Sequence, residues 1–148
     1  MSEIKLALFA TFATIYVVAC AATDGLFNRL VFREHRRLSY FSTEKRLVYL
    51  RGEWSWISVL FLIYLGFVAP SLASFAIGGV KYLLVFWLIF LLVNWDVIFG
   101  RIVFDDWLGD TPSMKLFRLG WIHTSIWVSI GARLACAAGV AYVLRRFT

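Results

Sequence analysis

Charge is scarce in this sequence. Only 16% of its 148 residues are Asp, Glu, Lys or Arg, against about 25% in soluble domains. Cysteine and proline are rarer still, with two of each. Two cysteines cannot build a disulfide framework or a four-thiolate metal site. Cys20 and Cys136 fall in the first and last apolar stretches at different depths, so no bridge between them is expected. The chain also lacks a Gly-rich phosphate loop, a C-x-x-C pair, a zinc-ligand spacing and a G-x-S-x-G elbow. These absences point away from nucleotide hydrolysis, thiol redox chemistry and serine hydrolysis. The reading leans away from an enzyme, and no cofactor is expected. Neither an internal repeat nor a low-complexity tract is visible.

Apolar residues, by contrast, are plentiful. They make up 61% of the chain, and the mean hydropathy is +0.79. Seven Trp and six Tyr suit a protein with two membrane–water interfaces to anchor. Formal net charge is +6, but seven of the fifteen basic residues lie between Arg29 and Arg51. Such clustering points to membrane orientation and anionic lipid as the cause, and away from nucleic acid.

The apolar residues gather into four stretches, at about 4–28, 54–76, 81–104 and 121–144. Each is long enough to cross a bilayer. The predicted fold is therefore all-α: a single domain of four transmembrane helices in one bundle. The first stretch carries a cleavage-like Val17-Val18-Ala19-Cys20, and is read here as a genuine span. Its small residues, Ala7, Ala10, Thr11, Ala13 and Thr14, suit close helix approach in lipid. Between the first two spans, Ser42 can cap a short amphipathic helix beginning near Thr43, lying on the cytoplasmic surface. Pro70 is expected to kink the second span, with Ser71 or Ser74 satisfying the freed carbonyl. Gly78-Gly79 leaves room only for a tight turn, so spans two and three form a hairpin. In the fourth span Gly131, Ala135 and Gly139 recur every four residues and make a small-residue strip.

Orientation follows from Lys and Arg. The segments 29–53 and 105–120 hold nine of them, and the opposite side holds four, Lys5, Lys81, Arg145 and Arg146. The excess places both segments in the cytoplasm and both termini outside, in a plasma or inner membrane.

Charge inside an apolar span is costly and needs a reason. Asp96 and Arg133 each lie near the middle of a span, so they are expected to pair or to share a wet cavity. Asp24, Asn94, Arg101 and His123 supply further polarity toward the inner half. On an unbroken helix Asn94 and Asp96 point to different faces, which implies neighbours on both sides of span three. Arg36, Arg37, Lys45 and Arg46 face anionic headgroups. Asp105, Asp106 and Asp110 form an acidic knot. It either pairs with the basic segment or holds Mg²⁺ or Ca²⁺ against a lipid diphosphate.

Three functions fit this pattern. The leading one is an accessory or scaffold subunit of a larger membrane complex, with a membrane-protein partner. The second is a homo-oligomeric ion, proton or small-solute transporter working through Asp96 and Arg133. The third is a metal-dependent lipid-modifying enzyme at the inner leaflet.

Overall fold

The computed structural model describes residues 2–38, 59–104 and 126–147, without the side chains at 2, 31–38, 96, 100, 103, 104 and 126–129. Its elements are α1 (Ser2–Leu38), a π-helical segment (Leu62–Val68), α2 (Ala69–Leu92), α3 (Trp95–Phe104) and α4 (Ile126–Leu144). The described residues are all-helical, with no strand among them. Two runs, Glu3–Leu30 and Val59–Leu92, are long and apolar enough to cross a membrane. The expected surface helix near Thr43 lies outside the described residues.

At 37 residues, α1 measures about 55 Å at 1.5 Å per residue. It continues ten residues beyond Asn28, so positions that read as the start of a basic loop are helical to Leu38. No glycine or proline stands between 26 and 38 to stop it. Ala13, Val17 and Ala21 form its buried strip, followed by Asp24 and Asn28. Thr11 and Thr14 donate to the carbonyls one turn back, at 3.0 and 2.8 Å. Their hydroxyls are therefore satisfied without a neighbour, and Ala13 provides the close approach in their place.

The run Val59–Leu92 is not one rod. Its helical dihedrals fail at Gly78 (φ −150°, ψ 21°) and Gly79 (φ 68°, ψ −153°). The Trp87 indole N–H donates to Ser71 Oγ at 3.0 Å, where a straight helix would hold those residues about 24 Å apart. Phe67 stacks on Trp87 with centroids 5.8 Å apart and meets Phe90 at 5.2 Å. Each contact straddles Gly78-Gly79, so the two arms run antiparallel. Both glycines are required, for different reasons. A Cβ at Gly78 would overlap the Tyr82 ring, and the dihedrals of Gly79 belong to a region almost reserved for glycine.

At Pro70, where a kink is expected, the structure has the π-helical segment just before the proline, and the repair differs too. The Ala69 N–H donates to the Tyr64 carbonyl, five residues back. In that register the next donor would be residue 70, and proline has no N–H. The Leu65 carbonyl is thereby orphaned. Tyr16 reaches across from α1 and donates its hydroxyl to that oxygen at 2.6 Å. Ser74 instead donates to the Pro70 carbonyl at 2.6 Å, and Ser71 accepts from Trp87.

The contacts also fix relative directions. Phe9 meets Tyr82 with centroids 4.8 Å apart, and Asp24 meets Trp95. α1 therefore runs parallel to the path from Tyr82 into α3, while the first arm of α2 opposes both. The core fills their junction with Ala13, Val17, Ala21, Leu62, Phe86, Trp95 and Phe99. α4 packs against α2.

Candidate functional site

The polar residues converge on a second helix fault. α2 ends at Leu92, Val93 adopts φ −75° and ψ 95°, and α3 begins at Trp95. This break lies at the middle of the expected third span. Val93 still donates to the Ile89 carbonyl at 2.8 Å. Its extended ψ then swings the Asn94 N–H out of helical register, and the Phe90 carbonyl loses its usual donor. Arg133 supplies a replacement from α4. Its guanidinium donates to Phe90 O at 3.3 Å and lies 5.7 Å from the Phe90 ring centroid. A cation at the carbonyl end of a helix also opposes the negative end of the helix dipole.

Asn94 caps the restart. Its side-chain Oδ1 accepts from the Val97 N–H at 3.3 Å, and its own carbonyl accepts from Ile98 at 3.3 Å. Asn94 is thus a helix cap at a break, not a residue on the face of a continuous helix. Asp96 occupies the second position of α3, where the helix dipole favours an anion. Its side chain lies outside the described residues, and so does the expected Asp96–Arg133 contact.

On the other flank of the break stands a buried trio. The Trp95 side chain is fully buried, and Asp24 and Asn28 are 3% and 2% exposed. The Trp95 indole N–H donates to Asp24 Oδ2 at 3.2 Å. Asn28 donates to Asp24 Oδ1 at 2.9 Å and to the Asp24 carbonyl at 2.8 Å. The spacing of four residues makes this possible, because i and i+4 share a helix face. Gly66 lets the indole in: a Cβ there would lie 2.8 Å from the ring. Phe61 and Phe90 flank Trp95, with ring centroids 6.1 and 6.5 Å away.

The break therefore joins two polar groups from opposite sides, Arg133 on α4 and Asp24–Asn28 on α1. No family model, curated protein or solved structure matches this chain. What the arrangement can do must come from its own chemistry. It brings a guanidinium from one helix and a buried acidic side chain from another to a single helix break.

The remaining sequence-derived candidates are dispersed or undescribed. Arg101 lies on α3 and is exposed. Arg36 and Arg37 lie on the extension of α1, without described side chains. Lys45, Arg46, His123, Asp105, Asp106 and Asp110 fall outside the described residues. Among the described residues, no three His, Cys, Asp or Glu side chains come together as a metal site. Both cysteines are free thiols, Cys20 half-buried and Cys136 exposed. Sequence reasoning missed Trp95 and Tyr16 as polar partners. The signal for Tyr16 was present: a proline in an apolar helix frees a carbonyl, and a neighbouring hydroxyl can answer it.

Proposed function

We propose that the chain is a four-span integral membrane protein and serves as an accessory or scaffold subunit of a larger membrane complex. Several features support the membrane. Of the most apolar eighteen residues in each candidate span, only 17% are buried within the chain. Ile4, Leu8, Phe12, Ile15 and Leu72 are all more than half exposed. A soluble protein does not leave so much contiguous apolar surface in water. α1 contributes Val17, Ala21 and Asp24 to the core, which suits a resident span better than a removable leader. The second arm of α2 reaches bilayer length only together with α3, giving the third span a break at its midpoint. α4, with its shorter apolar run Ile130–Leu144, belongs to the fourth. Both termini outside, with 29–53 and 105–120 cytoplasmic, remains the arrangement favoured by the basic residues.

The observation that carries the subunit reading is the outward face of α4. Arg133 turns toward α2. Gly131, Ala135 and Gly139 lie on the opposite side at about 100° per residue. Among the described residues nothing approaches within 4 Å of where a Cβ would sit at Gly131 or Gly139. Small residues on a lipid-depth face let another helix backbone come close. Purification in mild detergent is expected to retain a stoichiometric membrane partner, and Gly131→Leu with Gly139→Leu to release it. A stable homo-oligomer without a partner counts against this reading.

The break in the third span favours one alternative, an ion or proton path through Asp96 and Arg133 in a homo-oligomer. Interrupted helices and buried charge are the recurring materials of such paths. Reconstituted protein would then pass protons or ions, and Asp96→Asn would abolish the flux. Unchanged flux in that variant removes the path.

A further inference from the structure

An open apolar groove of about 390 Å³ runs between α1 and the first arm of α2. Phe12, Ala13 and Tyr16 form one wall, Ala73 and Ile77 the other, and Phe86 the floor. Its length covers about two helical turns. Alanines at 13, 69 and 73 leave the space that larger side chains would fill. Its two hydroxyls are already engaged, Tyr16 on the Leu65 carbonyl and Ser74 on the Pro70 carbonyl. The groove therefore offers hydrocarbon contact and little else.

Its mouth is different. Phe9 packs on Tyr82, which brings α1 beside the Gly78-Gly79 turn. Lys5 lies one turn before Phe9, and Lys81 directly precedes Tyr82. Two lysines thus lie on the backbone near the end of the apolar slot that Phe9 and Tyr82 close. Glu3 is the one acidic residue on the same end among the described residues, leaving a net positive mouth. An apolar slot capped by cations matches an amphiphile with a hydrocarbon tail and an anionic head.

We propose that this groove holds one acyl chain of an anionic phospholipid, with the headgroup phosphate at Lys5 and Lys81. The proposal rests on the chain being an integral membrane protein, but not on any protein partner.

The test uses the full chain in nanodiscs of phosphatidylglycerol or phosphatidylcholine, each carrying a mid-chain diazirine. After irradiation, cross-links are mapped by mass spectrometry. Labelling of Phe9, Ala13 and Pro70, which line the groove and are half-buried or buried, should exceed that of the exposed Ile15 and Leu72 several-fold, and phosphatidylglycerol should label more than phosphatidylcholine. Ala73→Trp should remove the groove labels while sparing Ile15. The pair Lys5→Gln and Lys81→Gln, which removes two charges and keeps much of each side chain's length, should equalise the two lipids. Equal labelling of the groove and the open surface overturns the proposal. So does protection of the groove, which would mean that a helix of a partner or of a second copy fills it. A phosphatidylglycerol preference that survives the lysine pair overturns the headgroup assignment.

Discussion

Trp95 shows how much one residue can be asked to do. Its ring fills the junction of three helical segments, and its single N–H satisfies a carboxylate that water cannot reach. Trp95→Phe keeps most of the volume and deletes the donor. Loss of one buried hydrogen bond costs about 0.5–1.5 kcal/mol, so detergent-solubilised protein should unfold at measurably lower denaturant. The loss should shrink when Asp24→Asn is already present, because the two changes share one interaction. Gly66 is the other half of the fit. Gly66→Ala drives a methyl into the indole, and overpacking of this kind costs about 1–3 kcal/mol. The same denaturation assay reads it. Neither effect could be found by spacing. Asp24 and Trp95 are 71 residues apart, and nothing local to either announces the other.

Besides the glycine turn, the described helical elements are irregular in two places, and each of those faults is repaired by a neighbour. Tyr16 answers the carbonyl freed at Pro70, and Arg133 answers the one freed at Val93. The glycine turn and the proline fault were legible beforehand, because both residues have strong backbone rules. The break at Val93-Asn94 was not. Valine and asparagine interrupt helices only weakly, so tertiary contacts decide whether they do. Since Asn94 caps α3, Asn94→Ala should cost about 0.5–2 kcal/mol and be visible as faster amide exchange at Val97. At the hairpin, Gly79→Ala forces a side chain into a backbone region that costs about 1–3 kcal/mol. Circular dichroism with thermal melting in micelles would register that loss, and an unchanged melt would contradict the assigned dihedrals.

At the scale of the molecule, the two long apolar runs, Glu3–Leu30 and Val59–Leu92, could be read from hydropathy alone, because length and composition are what define them. Helix ends could not. α1 persists to Leu38 because no breaker stops it, whereas hydropathy falls off near Asn28. The proposed topology makes an accessible prediction. With Cys20→Ser and Cys136→Ser in place, a cysteine introduced by Ser2→Cys should react with a membrane-impermeant maleimide added to intact cells. One at Ser113→Cys should react only after lysis. The reverse pattern inverts the orientation.

The tightness of the Gly78-Gly79 turn also bears on how such a chain is made. In the proposed four-span topology, its two arms are joined by so little chain that neither can settle across a bilayer while the other waits outside. They must enter together, the tip leading. That tip carries two glycines and, just beyond, Lys81 as the nearest charge to be dragged through. On a Cys20→Ser, Cys136→Ser background, ribosome-bound chains in which the first arm has emerged but the second has not should therefore still expose a cysteine introduced by Leu60→Cys to an aqueous maleimide, and chains extended well past Phe104 should not. On that topology the hairpin is a unit of biogenesis as well as of packing.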